Sequence, residues 1–191
     1  MKKIVLVISF IRLIPHVFFY KLSKNKKTIQ YDINRWLAIT QKEKRLGFTT
    51  LMTFYPQFRN LFYKRLGKCS YLIKWLCPPM NTLFIYTKDI GPGLYIQHGF
   101  ATIISAKSIG KDCWINQQVT IGYSNATDCP VLGDNVTIRA GAKIIGKVHI
   151  GDNSTAGANA VVVKNVPSNC TVVGVPAYIV KRNGVKVFEK L

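Results

Sequence analysis

A chain of 191 residues accommodates one compact domain and an appendage. Its formal charge of +19 is unevenly placed: residues 1–68 hold fifteen Lys and Arg against two acids, Asp32 and Glu43. An anionic partner is therefore expected of that end, but zinc-ligand spacing, an RNA-recognition signature and basic-region heptads are all missing, which argues against nucleic acid. The five cysteines, Cys69, Cys77, Cys113, Cys129 and Cys170, are odd in number and lack metal-ligand spacing. They read as the unpaired thiols of a reduced, cytosolic chain with no metal site.

Residues 1–27 (MKKIVLVISFIRLIPHVFFYKLSKNKK) are apolar and basic. No small-residue cleavage site follows the apolar run, which argues against a signal peptide. Arg12, Pro15 and His16 interrupt it before the roughly 20 apolar residues a membrane span needs. The remaining reading is an interfacial helix. Ser9, Arg12, His16, Tyr20, Ser23 and Lys27 recur along one face, and Val5, Ile8, Ile11, Leu13, Val17, Phe18, Phe19 and Leu22 occupy the others. Lys21, Lys24, Lys26 and Lys27 then sit where anionic headgroups lie. The competing reading packs this helix on the protein's own core or in an interface between copies.

Residues 28–85 form a helical region. Ile29, Ile33, Trp36, Leu37 and Thr40 have helical spacing, with a stop expected over Lys42 to Arg45 and Gly47. A second helix carries Leu51 to Leu66, with Pro56 near its first turns and Gly67 at its end. Cys77-Pro78-Pro79 is a stiff connector.

From Ile90 to Val162 the chain repeats a six-residue pattern. An aliphatic or small residue returns at 90 and 96, then at 109, 115 and 121, then at 132, 138, 144, 150, 156 and 162. Gly follows several of them, as at Gly91, Gly110, Gly133 and Gly151. An antiparallel sandwich would place its turns about 8–12 residues apart and unevenly. A six-residue period instead fits a solenoid of short strands with inward aliphatic residues and a tight corner after each. The phase breaks between Ile96 and Ile109, just after His98, and between Ile121 and Leu132, where residues 122–130 form a polar loop. Loops projecting from a rigid solenoid are favoured places for function.

The pieces IGPGLYIQHG (90–99), VTIG (119–122), IRAGAKIIGKVHIGDNS (138–154) and VVGVPAYIV (172–180) resemble the hexapeptide-repeat acyltransferases, and among them the serine acetyltransferase branch. The resemblance covers about half of the chain. It implies a mainly β architecture, a left-handed parallel β-helix over residues 86–180, preceded by the short basic helical region and followed by a tail, 181–191. It also implies a homotrimer, and acetyl-CoA as donor in a groove between neighbouring coils. The phrase FRNLFYKRLG (58–67) resembles a segment of capsule- and lipopolysaccharide-locus members of the family.

Acetyl transfer to a hydroxyl needs a base that titrates near neutrality within reach of that hydroxyl, a role for which His is suited. Of His16, His98 and His149, His98 lies beside a phase break and matches the branch's catalytic His. The family pattern places an Asp directly before that His, a second Asp upstream and a further His in the loop. Gln97, Leu83 and Cys129 stand at these positions, which argues against serine as acceptor. Asp89, Gln97, Asn116, Asp128 and Cys129 are candidates for orienting His98 or touching the acceptor. For the donor, the matching small residues are Ala140, Gly141 and Ala158, with Lys164, Lys181 and Arg182 as candidate partners of the CoA phosphates. The tail from Val180 is expected to cover the open end of the coil.

These readings converge on an acetyl-CoA-dependent O-acetyltransferase at the inner face of the cytoplasmic membrane, acting on a sugar hydroxyl of a surface polysaccharide or lipid-linked glycan. The alternatives are serine O-acetylation for cysteine synthesis, and a non-catalytic β-helix scaffold or membrane binder.

Overall fold

The computed structural model describes residues 2–42 and 46–191. The chain divides into two units, Met1–Asn81 and Thr82–Leu191.

In the first unit, helix α1 (Lys2–Leu22) is followed by α2 (Lys26–Thr40), α3 (Gly47–Phe54), α4 (Pro56–Leu66) and a 3-10 segment, Gly67–Leu72. The stop expected over Lys42 to Arg45 falls earlier: α2 ends at Thr40 and Gln41 adopts a left-handed conformation. Residues 43–45 lie outside the described residues, and Gly47 opens a helix instead of closing one. A Cβ at Gly47 would meet the Leu37 side chain, so glycine lets α3 start against α2. The single helix expected over Leu51 to Leu66 is two, because Pro56 has no N–H to continue α3 but suits the first turn of α4. Trp36, Phe58 and Phe62 are buried, with the Trp36 and Phe58 rings edge to face at 5.1 Å. Arg59 donates to three carbonyls, of Met52 (2.6 Å), Thr53 (2.7 Å) and Pro78 (2.8 Å), and so satisfies the end of α3. Arg65 pairs with the buried Asp32 at 2.9 Å. Both arginines hold the unit together.

The amphipathic character of α1 is oriented by this core. Ser9, Leu13 and His16 are buried, and His16 Nε2 is 2.8 Å from the Tyr63 hydroxyl, which itself donates to the Cys77 carbonyl at 2.7 Å. The polar stripe read from the sequence therefore includes residues turned into the protein, as the competing reading of this helix has it. Phe10, Ile11, Ile14, Phe18 and Leu22 are exposed instead.

The second unit is a parallel β-solenoid of triangular section. Its first coil is β1 (Leu83–Ile85), β2 (Asp89–Ile90) and β3 (Tyr95–Ile96). The second is β4 (Thr102–Ile104), β5 (Ser108–Ile109) and β6 (Trp114–Ile115). The third is β7 (Thr120–Gly122), β8 (Val131–Leu132) and β9 (Thr137–Ile138), and the fourth is β10 (Lys143–Ile145), β11 (His149–Ile150) and β12 (Thr155–Ala156). The last coil has β13 (Val161–Val162), a single bridge at Val166 and β14 (Cys170–Val173). Strands in equivalent positions pair in parallel, giving a first sheet β1-β4-β7-β10-β13, a second β2-β5-β8-β11 and a third that begins β3-β6-β9-β12-β14.

Register explains the six-residue pattern. Ile104, Ile121, Ile144 and Val162 stack inside the first sheet, Ile90, Ile109, Leu132 and Ile150 inside the second, and Ile96, Ile115, Ile138, Ala156 and Val172 inside the third. All are buried. The two breaks differ in form. Ile104 occupies the inward position between Ile96 and Ile109, so the corner after Ile96 is long and the next side is short. Ile121 and Leu132 bound one side with five residues inserted, the polar loop expected over residues 122–130. At the corners between second and third sheets, Asn135, Asn153 and Asn169 all have φ between 53° and 58°. Asn tolerates this left-handed region, and its amides ladder the coils together at 3.0 and 3.1 Å.

The tail covers the open edge of the last coil strand, β14, as a hairpin. After Val173 the chain turns back, and β15 (Tyr178–Arg182) and β16 (Val185–Lys190) extend the third sheet antiparallel.

Candidate active site along one corner of the solenoid

The corners joining the third sheet to the first lie above one another. Gln97 N–H donates to the Ile115 carbonyl, Asn116 N–H to Ile138, Arg139 N–H to Ala156 and Gly157 N–H to Val172, all at 2.8–2.9 Å. This places His98, Asn116, Ala140 with Gly141, and Ala158 on one edge of the prism. Three coil spacings separate the first from the last, roughly 14 Å.

His98 is exposed at the top of this edge, with φ 64°, between Gln97 and Gly99, whose N–H closes a tight turn on the Gln97 carbonyl at 2.8 Å. The long corner turns the chain through His98 itself, and its side chain has no hydrogen bond among the described residues. Gln97 is held: its Oε1 accepts from Trp114 Nε1 at 3.2 Å and Asn116 Nδ2 at 3.4 Å. Trp114 in turn meets the Tyr95 ring edge to face at 4.7 Å and carries the Arg139 guanidinium 5.9 Å from its centre. Asn116 Oδ1 and Gln117 Oε1 are buried without a hydrogen-bond partner. Such acceptors are left for a donor from outside the chain. The sequence reading missed Trp114, Gln117 and Arg139. Their signal was the vertical register, which sets Tyr95 beside Trp114 and Trp114 beside Thr137.

The other candidates fall elsewhere. Asp89 is the exposed residue of β2 in the second sheet. Asp128 and Cys129 belong to the inserted loop between first and second sheets. The Asp128 carboxylate accepts from Asn125 Nδ2 at 2.8 Å and Ser124 Oγ at 3.1 Å, so it closes that loop on itself. Cys129 is half-buried, its Sγ 3.6 Å from the Ser105 carbonyl oxygen, and its hydrogen bond with Tyr123 raises that phenol's pKa. No hydrogen bond or ion pair joins His98 to Asp89 or Asp128 within the chain.

Of the three candidate phosphate partners, two have other work. Lys164 Nζ donates to the Leu191 carbonyl at 2.6 Å, and Arg182 pairs with Glu189 across the β15–β16 hairpin at 2.5 Å. That pairing raises the Arg182 pKa and lowers that of Glu189. Lys181 is exposed. A cavity of about 290 Å³ lies between Pro176, Ala177, Tyr178, Phe188 and the Lys164 stem, beside the terminal hairpin. Among the described residues, no three His, Cys, Asp or Glu side chains gather as a metal site.

Coils of this geometry define a hexapeptide-repeat solenoid, and residues 129–164 match the family model "Bacterial transferase hexapeptide (six repeats)". Over 102 residues, 51% of the chain, it is 42% identical to a serine acetyltransferase of Synechococcus elongatus and 45% identical to one of Staphylococcus aureus. These matches cover 42% and 48% of the two relatives, so the chain spans less than half of their length. The solved serine acetyltransferase of Brucella abortus superposes with a TM-score of 0.67 at 25% identity, covering 83% of this chain and 69% of that one. That of Neisseria gonorrhoeae in complex with serine gives 0.66 at 26%, covering 80% and 67%. Residues 129–164 thus carry the bacterial transferase hexapeptide repeat, and the chain is similar in sequence and fold to serine acetyltransferases. The activity these relatives are named for is the serine alternative of the sequence reading, not the sugar acceptor preferred there.

Proposed function

We propose that the protein is an acetyl-CoA-dependent O-acetyltransferase that uses His98 as general base. The observation that carries this reading is the single edge on which His98, the unpartnered buried acceptors of Asn116 and Gln117, and the small residues Ala140, Gly141 and Ala158 lie in register. His98 takes the proton of the acceptor hydroxyl as its oxygen adds to the acetyl carbonyl. The tetrahedral intermediate collapses with cleavage of the C–S bond, and the CoA thiolate leaves with the proton returned by His98. Small side chains along the edge leave room for the pantetheine arm, and Lys181 is the cation of the trio open to a CoA phosphate. The assembly is a homotrimer, in which a neighbouring copy supplies what the chain alone does not place beside His98. Acetyl-CoA as donor puts the reaction in the cytoplasm.

L-serine is the acceptor favoured by the relatives, one of which was solved with serine bound. One observation supports a second acceptor, a sugar hydroxyl. The residue before His98 is a neutral Gln97 tied to Trp114 and Asn116, not a carboxylate suited to an amino acid's ammonium group. Thiol release from acetyl-CoA, measured with L-serine and with a panel of amino sugars and glycans, decides between them. Turnover with serine alone establishes the first reading, turnover with sugars alone the second, and no release with any acceptor ends both.

A further inference from the structure

We infer that helix α1 seats the protein on an anionic phospholipid surface through the face formed by Phe10, Ile11, Ile14, Phe18 and Leu22. This rests on the first unit alone and is independent of the acetyl-transfer reading.

At 100° per residue these five side chains and Lys21 fall within an arc of about 120°. All are exposed, Ile14 and Phe18 by 56% and 57%. The buried Ser9, Leu13 and His16 lie on the opposite side of the same helix. The helix is thus fixed to its unit by one face and presents a continuous apolar stripe on the other. Scattered exposed apolar residues are ordinary on a protein surface, whereas a stripe along one helix marks an interaction face.

Charge identifies the occupant. Helix α1 contains no acidic residue, and Lys21, Lys24, Lys26 and Lys27 are exposed at and just beyond its C-terminal end. A second copy offering the same face would set these cations against one another. An anionic bilayer meets both features, taking the stripe into the acyl boundary and the ammonium groups among its headgroups. No described helix is long and apolar enough to cross a membrane, so the helix lies along the surface.

The test is sedimentation of the full chain with vesicles of phosphatidylglycerol and phosphatidylcholine, and with phosphatidylcholine alone. The intact chain is expected to partition onto the mixed vesicles. The exposed double substitution Ile14→Gln with Phe18→Gln should lower that partitioning by about tenfold or more. Exchange of Lys21, Lys24, Lys26 and Lys27 for Gln should lower it by about fivefold per charge and abolish the preference for the anionic vesicles. Both variants should keep the intact protein's melting temperature and its turnover of a soluble acceptor. Failure of the intact chain to bind mixed vesicles, or equal binding by the double variant, overturns the inference. A fall in solution mass of the double variant also overturns it, since the face would then belong to a second copy.

Discussion

Gly91→Ala tests how closely the coils of the solenoid are held. A Cβ at Gly91 would lie 2.6 Å from the Gly110 carbonyl carbon, 2.7 Å from its oxygen and 2.7 Å from the Lys111 nitrogen, all backbone atoms of the next coil. Ordinary contact begins near 3.4 Å, so the two corners must separate by about 0.8 Å to admit a methyl group. Gly91 N–H donates to the Ile109 carbonyl at 2.7 Å, and the same displacement stretches that bond to about 3.5 Å, beyond useful geometry. One lost hydrogen bond costs about 1 kcal/mol, and overpacking against rigid backbone adds about 1–3 kcal/mol. The sum, about 2–4 kcal/mol, should lower the melting temperature by roughly 5–15 °C for a chain of this size. Gly122→Ala is the internal control, because a Cβ there meets nothing within 4 Å. Thermal unfolding followed by circular dichroism reads both. If Gly91→Ala melted within a degree of the parent, or no lower than Gly122→Ala, the close stacking of these corners would be refuted.

In the first unit, Arg65→Met removes the guanidinium that pairs with the Asp32 carboxylate, whose side chain is 2% exposed, and should cost about 3 kcal/mol in denaturant unfolding. Adding Asp32→Leu should recover much of that loss, and a double variant as unstable as the sum of the singles would contradict the pairing. His16 is held neutral: burial first, then the charges of Arg12 and Arg59, lower its pKa to about 4 against the opposing pull of a backbone hydrogen bond at Arg12. The unfolded chain takes up this proton near pH 6.5, before the folded chain does. The contribution is therefore complete above about pH 6.5 and lost as the pH falls toward 4, at most about 3 kcal/mol. Unfolding midpoints measured between pH 7 and 4 should fall accordingly in the parent and change less in His16→Gln; parallel pH curves for the two proteins would count against a neutral buried His16.

The solenoid was legible because one physical constraint repeats: every sixth residue points into a narrow prism, where only aliphatic or small side chains fit. The breaks were legible as places, and the second also as a polar loop. The period alone does not count the inserted residues, which the pairing of Ile121 with Ile104 above and Ile144 below fixes. The first unit shows the limit of amphipathic reading. Polar spacing on α1 set Ser9 and His16 on one face, yet both are buried, and His16 is satisfied there by Tyr63, which donates on to the Cys77 carbonyl, a chain of hydrogen bonds that sequence periodicity does not encode. The surroundings of the candidate cations were hidden for a similar reason. Lys164 and Arg182 have the right charge, but a carbonyl at Leu191 and a carboxylate at Glu189, both brought in by the terminal hairpin, take it up. His98, Asn116, Ala140, Gly141 and Ala158 could be named singly from sequence, whereas their common edge depends on the number of residues in each coil.

The central claim is that His98 moves the proton in acetyl transfer, and His98→Asn tests it most directly. Asn accepts the left-handed backbone found at this position, φ 64°, so the corner should fold unchanged while the base is lost. The account predicts that thiol release from acetyl-CoA, with whichever acceptor the parent turns over, falls by about 10²–10⁴-fold at an unaltered melting temperature. Release at the parental rate from a normally folded His98→Asn protein would contradict it.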